Sequence, residues 1–141
     1  HTLLNNGFYN NDYSYHEFSL GEDEYVNISF YQNDRYSLET FLYVIKQDSI
    51  KYGKYVSFYS GIRIKEYGNT KNYCRIGEWK EFYEDGRLKA EGEYYPDCEM
   101  DEINMKIMYF KDNIWVYYGM NGKVEKKEWW EKGTLKKTEY M

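Results

Sequence analysis

Proline occurs once in this 141-residue chain and alanine once, at Ala90. Scarce alanine removes the best helix former, so a helical bundle is not expected. No apolar stretch approaches the roughly 20 residues that a membrane helix needs, and membrane insertion is not expected either. Cysteine and histidine are limited to two each. They show neither C-x-x-C nor H-x-x-x-H spacing, so no zinc site and no other metal or cofactor is anticipated. Positive charge is outnumbered, with 19 Lys and Arg against 24 Asp and Glu and a formal charge of -5. A net negative surface attracts neither a nucleic-acid backbone nor anionic lipid. A local basic patch remains around Lys126, Lys127, Lys132, Lys136 and Lys137.

Catalytic equipment is thin. His16 is the only internal histidine, and no nucleophile motif of the G-x-S-x-G type accompanies it. With 24 acids some carboxylate pair must lie close, yet most fall on the polar side of alternating strands, where solvation and cross-strand pairing account for them. The expectation is a protein that is not an enzyme.

What the chain has in abundance is aromatic: 19 Tyr, 7 Phe and 4 Trp. Aromatic and β-branched residues suit a pleated, half-buried surface, which points to an all-β protein. The length fits one domain, 1–141, with a core of its own. Its first part, 1–49, reads as an irregular or β region, and 50–141 reads as a series of hairpin repeats. Residues 1–22 have no sustained period and suggest an irregular arm or a short edge strand. In 24–32, Val26, Ile28 and Phe30 alternate with Tyr25, Asn27, Ser29 and Tyr31, a strand signal. The segment 37–47 is ambiguous: Leu38, Phe41, Leu42 and Ile45 sit at helical spacing, while Tyr43-Val44-Ile45 favours the strand.

From residue 50 the chain repeats itself. Gly77-Glu-Trp79-Lys-Glu-Phe82-Tyr83-Glu-Asp85-Gly86-Arg-Leu88 is echoed by Asn113-Ile-Trp115-Val-Tyr117-Tyr118-Gly-Met-Asn121-Gly122-Lys-Val124. Tryptophan precedes the turn glycine by seven positions and an aliphatic residue follows it by two. A looser copy runs from Gly53 and Tyr55 through Phe58 and Tyr59 to Gly61, one residue shorter before its turn. A half-unit, Trp129-Trp130-Glu-Lys-Gly133-Thr-Leu135, ends the series.

Asp85-Gly86 and Asn121-Gly122 predict two-residue type I′ turns, because Asp or Asn before Gly tolerates positive φ at both central positions. That register sets Tyr83 opposite Leu88 and Trp79 opposite Gly92, where the missing side chain leaves room for an indole. Trp79, Tyr83, Leu88 and Gly92, with Trp115, Tyr118 and Val124 in the second copy, form the expected repeat core. Lone hairpins are marginal in water, so such units must stack.

The pattern Gly-x-Trp-x-x-Phe-Tyr-x-x-Gly-x-Leu-x-x-x-Gly-x-Tyr at 77–95, repeated at 113–135 and weakly at 53–68, resembles the MORN-type repeat. The form is that of bacterial antitoxin- and immunity-like repeat proteins. The resemblance covers about half of the chain. The expected fold is an elongated or curled single sheet of stacked hairpins with the N-terminal region covering one end, and the resemblance implies that the hairpins run as an antiparallel β-meander. It also implies a non-catalytic protein-binding scaffold, whose partner is another protein such as a basic toxin. The chain departs from the pattern in its first 50 residues and at 96–112, where an acidic insert replaces the short linker.

Function is therefore expected where the tiling breaks. Asp97, Glu99, Asp101 and Glu102 in the insert lack the ligand spacing of a calcium loop and read as a solvated, partner-facing loop. Of Trp129 and Trp130 only one can face a single-layer core, which leaves the other for a partner or for the N-terminal arm. Cys74 and Cys98 flank the 77–95 hairpin at nearly opposite positions, so a disulfide can close it if the protein is exported. The chain opens on His1 rather than methionine, which suggests removal of an N-terminal piece. A cleaved signal peptide would mean an exported or periplasmic protein, and simple trimming a cytoplasmic one. The alternative function is a carbohydrate- or cell-surface-binding module that uses exposed Tyr and Trp.

Overall fold

A computed structural model describes residues 15–141, with the side chains of 34–36 excepted. The expected arm at the N-terminus lies outside the described residues as far as residue 14. Alternation of aromatic and β-branched residues produces twelve strands: β1 (Tyr15–Ser19), β2 (Glu24–Tyr31), β3 (Asp34–Gln47), β4 (Ile50–Tyr59), β5 (Arg63–Lys71), β6 (Cys74–Phe82), β7 (Leu88–Tyr94), β8 (Glu99–Asp101), β9 (Lys106–Met108), β10 (Lys111–Tyr118), β11 (Val124–Glu131) and β12 (Thr134–Tyr140). Ten of them form one antiparallel meander in the order β1-β2-β3-β4-β5-β6-β7-β10-β11-β12, which among the described residues is not closed into a barrel. β8 and β9 pair only with each other. The sheet runs without a break across the 49/50 boundary, since β3 and β4 are paired from Thr40↔Ser57 to Gln47↔Ile50.

The ambiguous segment 37–47 is strand throughout, inside the 14 residues of β3. Its helical spacing is overridden because both flanks offer ladders, β2 on one side and β4 on the other. Leu42 and Val44 then share one face, and Phe41, Tyr43 and Ile45 take the other. Residues 15–19 realise the short edge strand expected within 1–22.

The turns correct the sequence reading. At Asp85-Gly86 only the glycine has positive φ (95°). Gly86 N–H donates to the Tyr83 carbonyl at 2.9 Å, and Tyr83 N–H donates to the Arg87 carbonyl at 2.8 Å. The loop is thus three residues long, 84–86, a type I turn closed by a left-handed glycine. The second copy matches it bond for bond, with Gly122 N–H on the Gly119 carbonyl at 2.9 Å and Gly119 N–H on the Lys123 carbonyl at 2.8 Å. The Asp85 and Asn121 carboxyl and amide oxygens each accept an N–H from two residues on, at 3.0 Å. This side-chain bond favours the type I turn over I′. A bulge between Glu81 and Phe82 then restores the anticipated register, so that Trp79 does pair with Gly92. Near the turn the pairing is Phe82↔Leu88, which displaces Tyr83 from its expected place opposite Leu88.

The looser copy is not shorter than the others. Tyr59↔Arg63 and Phe58↔Ile64 enclose a loop of the same three-residue length and are followed by the same bulge, although Gly61 as well as Ile62 has positive φ there. Ile62, at φ 62°, stands where the better copies have glycine. The two-residue turns with positive φ at both positions lie elsewhere, at Asp48-Ser49, Asn72-Tyr73 and Lys132-Gly133.

Candidate functional site

The two tryptophans of the repeat lie on one face of the sheet, and both are essentially inaccessible: Trp79 is 1% exposed and Trp115 0%. Each sits over a glycine of the neighbouring strand. A Cβ built at Gly68 would meet the Trp79 indole at 2.2 Å, and one at Gly92 would meet Trp115 at the same distance. The hollow at Gly92 is therefore filled by Trp115 from β10, not by Trp79 as the hairpin register alone suggested. A local irregularity in each strand makes this reach. β6 spends Gly77 and Glu78 between the partners of Asn69 and Gly68, and β10 carries Asn113, Ile114 and Trp115 between the partners of Glu93 and Glu91. Gly77 and Asn113 both have positive φ, 64° and 56°. The indole N–H groups are satisfied by equivalent carbonyls, Trp79 on Asn69 at 3.1 Å and Trp115 on Glu93 at 2.8 Å.

Tyr94 joins the two, edge-on to Trp79 at 5.9 Å and to Trp115 at 5.1 Å. Tyr55 continues the row at one end and Tyr117 at the other. Burial of rings on this scale is the dominant stabilising term for a single-layer sheet. The expected core residues Tyr83, Leu88, Tyr118 and Val124 are half-buried and are not among those packed against this row. Tyr118 instead turns to the other face, where its hydroxyl donates to Glu91.

Cations cap the row at positions 36 apart. Arg75 stands 4.3 Å from the Trp79 ring and Lys111 stands 4.7 Å from the Trp115 ring. Arg75 is held by two bonds to Glu66, at 2.8 and 3.0 Å. Burial opposes its charge, but the Glu66 carboxylate outweighs that and raises its pKa. Lys111 donates to the Tyr117 hydroxyl at 2.7 Å, which donates to Glu128 at 2.6 Å. Glu128 also accepts the Trp130 indole N–H at 3.0 Å and pairs with Lys126 at 3.4 Å. Burial works against its charge, yet the Tyr117 and Trp130 bonds with the two lysines hold its carboxyl below the usual range. Tyr117 is pushed up, first by burial and then by its bond to Glu128. Each of these charged groups is engaged with the rings or with another side chain of the row.

Trp129 and Trp130 point to opposite faces, as alternation required. Trp130 packs against the core, and Trp129 lies half-buried beneath Lys137, 4.7 Å from its ring. Neither is an exposed platform. The basic patch is likewise partly neutralised, with Lys136 paired to Glu131 and Lys137 to Glu139.

The insert is a hairpin tethered to the sheet. Cys98, just before β8, is disulfide-bonded to the buried Cys74 at the start of β6. Pairs Glu99↔Met108, Met100↔Ile107 and Asp101↔Lys106 bring the chain to a tip at 102–105. Asp101 pins the tip: it accepts the Ile103 and Asn104 backbone N–H at 3.1 and 3.2 Å and the Asn104 amide at 2.8 Å. Those bonds, the Asn104 side chain first, lower its pKa. Asp97 pairs with Lys71 at 3.5 Å, while Glu99 and Glu102 are exposed. The four acids do not converge on a point, and no metal-binding cluster occurs among the described residues. Sequence reasoning chose the acids and missed their apolar neighbours. Ile103 is 92% exposed and Met105 81%, with Met100 and Met108 exposed beside them. The run of Met100, Ile103, Met105, Ile107 and Met108 within a short, otherwise polar insert was the signal.

The face opposite the tryptophans carries a cleft of about 700 Å³ across β3, β4, β5 and β6. No protein-family model, no curated protein and no solved structure matches this chain.

Proposed function

We propose that this protein is a non-catalytic protein-binding scaffold whose contact element is the 96–110 hairpin. One observation carries the reading. Large apolar side chains, Ile103 and Met105 foremost, are held out in water at a tip that the Asp101 bonds make rigid. Exposing them gains nothing for the fold, whereas a pre-ordered apolar knob lowers the entropy cost of docking. Glu99 and Glu102 at its sides favour a partner whose pocket is apolar with a basic rim. The MORN-like pattern of 77–95 and 113–135 supports a scaffold role, and by that resemblance the chain is of the antitoxin- or immunity-protein kind and its partner is a toxin with a basic surface.

The test is a comparative capture with the immobilised full chain and its Ile103→Asp/Met105→Asp variant, using extracts and secreted material of the source organism. A partner that binds the first and is lost with the second, and whose loss is reproduced with both purified, supports the reading. A partner held equally by both, or none held by the first, overturns it.

A further inference from the structure

We infer that the cleft on the face opposite the tryptophans is a binding site for a short neutral oligosaccharide. Two parallel rows of side chains define it, each crossing neighbouring strands. The apolar row is Phe41↔Val56↔Tyr67, in direct register from β3 to β5. The polar row is Tyr43↔Lys54↔Asn69 in the adjacent register position, extended by Glu78 on β6. Lys80, opposite Tyr67, closes the far end of the apolar row.

The size suits a small ligand, since about 700 Å³ falls inside the range of roughly 300–1,000 Å³ common to such sites. Tyr67 is the apolar platform. It is stacked on Phe82 at 5.7 Å with 24° between planes, which fixes the ring, and it still stands 40% exposed. A large ring fixed on one side and open on the other suits the C–H face of a sugar. Four strands span three inter-strand spacings, about 14 Å, so the row accommodates several hexoses laid across the strands.

The polar row decides the ligand's charge. Lysine and asparagine donate, while Glu78 and the Asn69 oxygen accept. Lys54 already reaches the Asn69 oxygen at 3.3 Å, and Lys80 lies 4.0 Å from Glu91. Lys80 is thus offset by a carboxylate, while Lys54 rests on a neutral amide and is matched in the lining by Glu78. The two lysines and the two carboxylates balance, and no concentrated field is left for an anion. Hydroxyl groups, which both donate and accept, match such a mixture better than a carboxylate or phosphate does. A flat, equatorially linked glycan presents C–H faces and hydroxyl edges in two parallel lines, as the two rows demand.

The inference is independent of the 96–110 hairpin and of any protein partner. It is tested by calorimetric titration of the full chain with cellotetraose, using tetragalacturonate and a glutamate oligopeptide as charged comparators. Cellotetraose is expected to bind with Kd of about 0.1–1 mM, with backbone amide shifts confined to β3–β6. Tyr67→Ala should weaken binding at least about tenfold, Tyr67→Phe should retain it, and Ile103→Asp/Met105→Asp should leave it unchanged. Failure of cellotetraose to bind at about 10 mM overturns the inference. So does equal or tighter binding of either charged comparator, or full binding by Tyr67→Ala.

Discussion

The indole of Trp115 occupies the space that a side chain at Gly92 would need, 2.2 Å from where a Cβ would stand. Trp79 holds the same relationship to Gly68. In this single-layer sheet the repeat is therefore completed between hairpins rather than within one, each tryptophan reaching back to the strand before it. That is why the hairpins stack: the glycine of one unit is an empty seat until the next unit arrives.

Gly92→Ala should be among the most damaging small substitutions. Neither strand can withdraw, because both are laddered, and overpacking of this kind typically costs about 1–3 kcal/mol. Equilibrium urea unfolding should show a loss in that range. Pairing it with Trp115→Leu should recover part of the loss, giving a non-additive cycle. Additive losses would place the indole elsewhere.

How much of this was legible follows from which forces are local. The all-β class, the repeat offset between Trp79 and Trp115 and the Trp79↔Gly92 register came from composition, alternation and turn residues, all local signals, while the meander order was what the MORN-like resemblance implied. The glycine-to-tryptophan pairing across hairpins was not legible from one hairpin, because Gly92 and Trp115 are separated by the insert and meet only in the sheet. The I′ assignment failed for a different reason: Asp85 and Asn121 bond to their own backbone and select the type I turn with a bulge. At the insert the acids drew attention by charge, although Ile103 and Met105 show what is unusual only once their exposure is known.

Arg75 holds four aromatic rings and one carboxylate together. Its guanidinium lies within 6.0 Å of Tyr55, Trp79, Tyr94 and Tyr109 and is doubly bonded to Glu66. Arg75→Met keeps much of the bulk but leaves Glu66, a mostly buried carboxylate, without its partner. Breaking such a pair from one side costs about 3 kcal/mol. Adding Glu66→Gln should return a good part of it, measured as thermal midpoints of the single and double variants. An unchanged midpoint for Arg75→Met would mean that the pair is solvated and weak.

Stability should fall at both pH extremes, through different residues. Glu128 has a folded pKa below its ordinary value. The stability it contributes is present above the ordinary carboxylate range and is lost as pH falls through the folded value. Glu128→Gln should flatten that acid limb of the thermal midpoint. On the alkaline side burial pushes Tyr94 up to about 12, and the bond to Glu91 does the same to Tyr118. A neutral tyrosine is then favoured by the fold while the unfolded chain ionises near pH 10. The folded state binds more protons, and stability declines from about pH 10 upward. Tyrosinate absorbance should show a class of rings that ionises only as the sheet unfolds. A single titration near pH 10 with the fold intact would contradict this.

The Cys74–Cys98 disulfide should matter more to the hairpin than to the sheet. The bond closes a loop over a sequence separation of 24, for which chain-entropy reasoning gives about 3 kcal/mol. Within that loop, however, β6 and β7 are already joined by their own ladder and by Tyr94 between the tryptophans. The loop beyond Tyr94 has less to hold it. Asp97 pairs with Lys71, the Tyr95 N–H reaches Phe110, and β8 and β9 bond only to each other. Cys74→Ala/Cys98→Ala should therefore keep the strand-rich circular dichroism and the buried tryptophan emission while its thermal midpoint falls. Hydrogen exchange should accelerate selectively over 96–110, and that segment should become the first site of proteolysis. If the scaffold reading holds, partner affinity falls with it, since a hairpin no longer tethered to the sheet must be positioned on docking. Uniform acceleration across the ten-stranded sheet would instead make the disulfide a clasp for the whole fold.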